Sequence, residues 1–235
     1  MTPDERLCGV CGAPVPLPFR APPPDGAPDL DLRPGEPTRS TLPDWVQSCA
    51  GCTAAAADLA ALPASARPVV ESAAYRAVAA SEPAYAVGFL RWATILREIG
   101  DRNGAAEAML QAAWAADDAA DSIHAARWRA EAAFLWGEPA EVETALRRID
   151  VLRRAGEFGP ASAAADRLGD RGLDETSSAV LAFQRARIAA RDIGRHLISS
   201  AVRPPARRPH VTHRARPAPG GVLGRLFGGG PAKGD

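Results

Sequence analysis

The chain has 235 residues, 46% hydrophobic and 24% charged, with 28 acidic side chains against 28 lysines and arginines; this fits one or two globular domains and argues against a fibre or a wholly disordered chain. Alanine is the commonest residue, aromatics are only 6% and β-branched residues are sparse, so an extensive β-sandwich or barrel is disfavoured and the expected class is mainly α. Residues 1–66 carry eight acids and four bases, 67–200 nineteen and seventeen, and 201–235 one acid and seven bases, which confines any attraction to nucleic acid or anionic lipid to the C-terminal end.

In chain order, Met1–Arg6 lacks the basic and apolar regions of a signal peptide. No stretch approaches the ~20 apolar residues of a membrane helix, and a cytoplasmic location is expected. Residues 1–66 contain Pro22-Pro23-Pro24 and prolines at 14, 16, 18, 28, 34, 37 and 43, which excludes long regular elements. Such a segment needs a stabiliser other than a large core. All four cysteines fall here, as Cys8-Gly9-Val10-Cys11 and Cys49-Ala50-Gly51-Cys52. A two-residue gap in a tight turn presents both sulfurs on one side, and two such knuckles supply the four thiolates of a tetrahedral zinc site. Gly12 suits the turn after the first knuckle. Zinc would contribute on the order of 10 kcal/mol to folding. The 37 residues between the knuckles exceed the usual ribbon spacing. Disulfides would call for an export signal, and a redox Cys-x-x-Cys would open a helix in a βαβ unit. A catalytic zinc would need an open position, which four cysteines do not leave. The expected cofactor is therefore structural Zn²⁺ on Cys8, Cys11, Cys49 and Cys52.

Residues 69–200 contain little proline, and apolar residues recur at three- and four-residue steps, as in Phe89, Leu90, Ile95, Leu96 and Ile99. Helices are predicted near 69–80, 84–99, 104–117, 121–136, 139–154, 159–169 and 174–200. Pro83 suits a helix start, Gly100 and Gly156 suit helix ends, and Asp174 can cap the last helix. Leu96-Arg97-x-x-Gly100-Asp101-x-x-x-Ala105 is echoed, 56 residues on, by Leu152-Arg153-x-x-Gly156-Glu157-x-x-x-Ala161. Each copy marks a helical hairpin, with the glycine ending one helix and the alanine letting the next approach closely, in outline like a tetratricopeptide repeat. The small residue twelve after the glycine is Ala112 in the first copy and Leu168 in the second, and the repeat's closing proline falls on His124 and Val180. Antiparallel hairpins are expected, not a regular array. From Pro204 onward Pro, Arg and Gly dominate, and the tail is expected to be disordered.

Leu7-Cys8-Gly9-Val10-Cys11-Gly12, Pro28-Asp29-Leu30-Asp31-Leu32-Arg33-Pro34 and Trp45-Val46-Gln47-Ser48-Cys49-Ala50-Gly51-Cys52, followed by helices, resemble a bacterial family of uncharacterised cysteine-rich proteins. In that family a split zinc ribbon precedes tetratricopeptide-like helices. The resemblance spans roughly residues 7–200. Members often carry a Gly-aromatic pair after the second knuckle, where this chain has Thr53. The family has no assigned activity, so the likeness implies an architecture and a metal and nothing more.

Other candidate residues each have a plainer reading. Asp29, Asp31 and Arg33 could bind a cation or a basic peptide, or form the core of an enzyme site; the expected alternative is a solvated inter-knuckle loop whose charges pair with the helical domain. Trp45, Trp92, Trp114, Trp128 and Trp136 could form a ligand cage, but in an alanine-rich bundle large rings are needed to fill gaps. Trp45 is expected to pack the cysteine module onto the helices. His124 and His196 are read as isolated helical residues, and His210 with His213 as an unsupported pair in the tail. Arg203, Arg207, Arg208, Arg214 and Arg216 could hold phosphates, without interleaved aromatics to stack bases. Val222-Leu223-Gly224-Arg225-Leu226-Phe227 could dock as a short helix.

The expected organisation is a zinc-ribbon module over 1–66 with a Pro-rich inter-knuckle loop, a helical-hairpin domain over 67–202 and a tail over 203–235. The expected function is that of a non-enzymatic adaptor whose zinc is structural and whose helical hairpins bind a peptide or protein. The alternative is a nucleic-acid-binding protein using the ribbon and the basic tail.

Overall fold

The computed structural model describes residues 6–202. The five tail arginines, His210, His213 and the Val222–Phe227 segment lie outside the described residues.

The front of the chain is built from turns and short elements, as its prolines dictate. A 3-10 turn covers Arg39–Asp44, and β1 (Gln47–Ser48) pairs antiparallel with β2 (Ala55–Ala56). Further 3-10 turns at Leu59–Ala61 and Ala64–Ala66 lead into α1 (Arg67–Val70). There follow α2 (Ala73–Ser81), α3 (Val87–Glu98), α4 (Arg102–Asp118), α5 (Ser122–Trp136), α6 (Val142–Arg154), α7 (Phe158–Gly169), α8 (Glu175–Ala189) and the short α9 (Ile198–Ala201). The described chain is thus mainly helical, and no described helix is long and apolar enough to cross a membrane.

Helices adjacent in sequence from α2 to α8 pack on one another, and α6 also meets α8. At both echoed motifs the chain turns in the same way. The N–H of Asp101 donates to the Leu96 carbonyl (2.8 Å) and that of Gly100 to Arg97 (3.2 Å); in the second copy Glu157 donates to Leu152 and Gly156 to Arg153, each at 3.0 Å. This pair of bonds needs a left-handed residue just past the helix, and Gly100 (φ 91°) and Gly156 (φ 80°) supply it. Ala105 and Ala161 are fully buried behind these turns. On α4 the buried alanines 105, 106, 108, 112, 113 and 116 permit close helix approach, and Trp114 and Trp128 fill the space left by small side chains.

Three boundaries differ from expectation. The first predicted helix is two, because Ser72 is extended and caps α2 by accepting the Tyr75 N–H. Pro83 sits in the turn before α3, whose first residue is Val87. The last predicted helix stops at Ala189. There Arg191 takes φ 51°, and the Asp192 N–H bonds back to Arg187, the same closing turn made without glycine. His196 consequently lies in an extended stretch, not on a helix.

The inter-knuckle segment is the larger correction. Asp29, Asp31 and Arg33 are 1%, 0% and 2% exposed, not a solvated loop. Residues 28–30 run antiparallel to 196–198: Leu30 N–H donates to the His196 carbonyl (2.9 Å) and Ile198 N–H to that of Pro28 (3.0 Å). The charges of Asp31 and Arg33 do pair with the helices, as described below, whereas Asp29 pairs with Arg39 and Arg195 outside them. Trp45 packs edge-on against Trp114, with ring centroids 6.3 Å apart. Trp114, Trp128 and Trp136 are buried, and Trp45 and Trp92 are partly buried against the core.

Candidate metal centre

Each knuckle sits at the tip of a minimal antiparallel pair, the first closed by a bridge between Leu7 and Pro14 and the second by β1 and β2. The two turns share one bonding pattern. Gly12 N–H donates to the Cys8 carbonyl and Cys8 N–H to that of Ala13; Thr53 donates to Cys49 and Cys49 to Ala54, all at 2.8 Å. The residue after the knuckle is left-handed in both, at φ 76° for Gly12 and 62° for Thr53. Thr53 therefore does the backbone work of a glycine, at a cost that Gly12 avoids.

The glycines inside the knuckles are needed for close approach. A Cβ on Gly9 would lie 1.8 Å from the Leu62 carbonyl oxygen, and one on Gly51 would lie 2.9 Å from the Ala13 Cβ and 3.2 Å from the Cys11 sulfur. The first knuckle is thus seated on residues 59–62, and the second on the first.

This seating brings all four sulfurs within 4.8 Å of one another. Cys8 and Cys52 stand 3.9 Å apart and Cys11 and Cys49 3.6 Å apart. A tetrahedral ion with ~2.3 Å bonds to sulfur requires sulfur–sulfur edges of about 3.8 Å, and the two distances bracket it. They are far above the ~2.05 Å of a disulfide, and all four cysteines are free. Cys8 and Cys49 are buried, and Cys11 and Cys52 are partly exposed. Burial pushes the Cys8 and Cys52 thiols up. Burial acts the same way on Cys49, but the N–H groups of Cys52 and Gly51 and the neighbouring thiols outweigh it and bring that group down to about 7. The four cysteines can hold a metal ion as thiolates.

The sulfurs rest on a small apolar cluster of Val10, Leu59, Leu62, Val70, Tyr75 and Ile95. Tyr75, fully buried on α2, was not singled out from the sequence. Its hydroxyl donates to the Thr53 carbonyl (2.9 Å) and accepts from Ala55 N–H (3.0 Å), and burial raises it to about 12. Trp92 of α3 and Ile99, the residue just past its end, touch both this cluster and the helical core, so the thiol module and the helices share side chains.

Between the knuckles, Asp31 enters a closed set of charges. Its Oδ2 accepts from Arg154 Nη1 (2.7 Å) and Trp114 Nε1 (3.0 Å), and lies 3.5 Å from Arg129. Its Oδ1 accepts from Arg33 N–H (3.2 Å). Arg129 and Arg154 also hold Asp117, at 2.5 and 2.8 Å, while Arg33 reaches Asp118 at 2.5 Å. Burial alone would raise the Asp31 carboxyl, but Arg154 and Arg129 overcome it and hold it below the usual carboxylate range. Asp117 is likewise lowered, by Arg129 and Arg154 against burial. Asp29 is gripped by Arg39 (2.5 Å), and its other oxygen faces Arg195 Nε at 3.3 Å. Asp31 and Arg33 thus fasten the inter-knuckle segment to α4, α5 and α6, and Asp29 ties it to the stretch after α8. Arg147 and Arg154, seven apart on one face of α6, are the local signal that could have marked a charged buried stripe.

No family model, curated protein or solved structure matches this chain. The family expected from the cysteine motifs is therefore not supported by any match, and what stands is the four-cysteine cluster that could bind a metal.

Proposed function

We propose that this protein is a zinc-stapled adaptor: Cys8, Cys11, Cys49 and Cys52 hold one structural zinc ion, and the helical hairpins, tetratricopeptide-like in their turns, bind a peptide or protein partner in the cytoplasm. The observation that carries the reading is the convergence of four reduced sulfurs within 4.8 Å of one another. When bound, the metal supplies cross-linking energy, because four thiolates leave no position for a substrate. The chain's own part is to seat the knuckles through Gly9 and Gly51 and to tie them to α2 and α3 through Tyr75 and Ile95. The rigid support makes partner binding the favoured role, since clefts with apolar walls open between the helices. One, of about 250 Å³, lies against α3 and α5 and is lined by Leu90, Ala93, Met109, Trp128 and Leu135. No reaction is proposed.

Metal analysis of the purified protein should give about one equivalent of zinc per chain, lost in Cys11→Ser. Iron in its place, which a tetrathiolate site also accepts, would change the metal and keep the staple; a metal-free, fully folded chain would remove both. Affinity purification of the full chain should then recover a protein partner in stoichiometric amount. Recovery of nucleic acid alone, with affinity falling steeply as salt rises, would replace the adaptor reading.

A further inference from the structure

We infer that the cleft between α6, α8 and the inter-knuckle segment is the docking site for a basic, apolar segment of a partner protein. The inference rests on the adaptor reading and gives the partner's chemistry. The cleft encloses about 570 Å³, within the ~300–1,000 Å³ typical of sites that hold a specific ligand. Its floor is apolar. Leu30, Leu146 and Val180 belong to the main core and show one face to the cleft, with Ile198 beside them.

Leu32 stands at the rim, 42% exposed, with φ at 64°. The tight turn around it accounts for that φ: Leu32 N–H donates to the Asp29 carbonyl, and Asp29 N–H to that of Arg33, both at 2.9 Å. The turn does not account for leucine. Glycine or asparagine would adopt the same conformation at lower cost and without exposing an apolar side chain to water. A strained, outward-facing leucine beside an apolar floor has a physical reason if a partner covers it.

The charge around the cleft selects the partner. Glu143 is exposed and has no ion-pair partner among the described residues; Asp174 is also exposed, and its two carboxylate oxygens accept from the N–H and the hydroxyl of Ser177 as the cap of α8. The cation in the lining, Arg147, is spent on Glu107 (2.5 and 2.7 Å) and on the Asp31 carbonyl (2.8 Å). The unpaired charge at the mouth is therefore acidic, carried by Glu143 with the capping Asp174 beside it, over an apolar floor, which favours lysine or arginine flanking a bulky apolar anchor. The α3–α5 cleft lacks that bias, since Glu82 pairs with Arg127 at 2.5 Å and Glu131 with Arg97 at 3.9 Å.

The test is selection of a random dodecapeptide display library on the full, metal-loaded chain, followed by fluorescence anisotropy with the best synthetic peptide. Enriched sequences should combine Leu, Phe, Met or Trp with Lys or Arg, and binding should weaken as salt rises. Leu32→Gly should melt no lower than the parent, because it relieves the left-handed strain, yet bind about tenfold more weakly. Glu143→Lys should lose a similar factor and shift the selected peptides toward acidic residues. Failure to enrich any peptide, enrichment without the basic and apolar bias, or binding indifferent to both substitutions would overturn the site. Peptides displaced by Ala93→Arg in the α3–α5 cleft, and not by Leu32→Gly, would sink this site and leave the adaptor reading standing.

Discussion

Residues 6–66 and residues 102–136 bury their backbones by different means. The helical stretch closes on itself with alanine: α4 and α5 meet along side chains so small that the backbones approach closely, with Trp114 and Trp128 filling what remains. The front has hardly any regular structure, and its own apolar cluster is a few residues beneath four sulfurs. It is fixed at two points, the thiol cluster at the knuckles and the Asp31 charge set between them. Regular hydrogen-bonded structure lets small side chains suffice, whereas a proline-rich segment must obtain order from a few strong, specific contacts.

Removing the metal tests that contrast most severely. With the proposed zinc bound, chelation should withdraw on the order of 10 kcal/mol from the front. Hydrogen exchange at the amides of Gly12, Thr53 and Ala55 should then accelerate, while those of α4 and α5 stay protected; equal protection in both regions would show that the apolar cluster alone holds the knuckles. Asp31→Ala should cost about 3–5 kcal/mol in urea denaturation, because it leaves Arg129 and Arg154 partly unpaired in a buried site. A loss confined to a few tenths would mean that the segment is held by its backbone bonds to 196–198.

Acid should act on the same fastening. Asp31 and Asp117 sit below the normal carboxylate range when folded and return to about 3.9 when unfolded. Below that value the unfolded chain takes up more protons, so the stability these groups give at neutral pH should fall away as the pH drops from about 4. Urea midpoints measured across that range should show a shallower decline in Asp31→Asn. The smallest effects come from two left-handed residues. Ala120 (φ 56°) closes α4, and Thr53 (φ 62°) closes the second knuckle; glycine at either should stabilise by up to about 1 kcal/mol. Ala120→Gly should raise the melting temperature with or without metal. Thr53→Gly should register mainly as tighter metal binding, and equal responses would mean that the two regions unfold as one.

What could be read from the sequence depended on whether the cause was local. Paired Cys-x-x-Cys knuckles, Gly100 and Gly156 as helix ends, Asp174 as a cap and the tryptophans as core all follow from residues a few positions apart, and the structure places them so. The end of α8 was missed because Arg191 takes a conformation usually left to glycine, and Ser72 was passed over as a cap. The burial of Asp29, Asp31 and Arg33 had no local signature at all: Asp31 meets partners 83 and 123 residues away. In sequence, an acid beside prolines is indistinguishable from a solvated one. Short-range hydrogen bonding and side-chain period fixed the helices and made the thiol pairs recognisable, since both are properties of a few consecutive residues. Tertiary structure alone decided that the inter-knuckle segment is core, because only the folded chain brings its charges to the guanidinium groups that compensate for their removal from water.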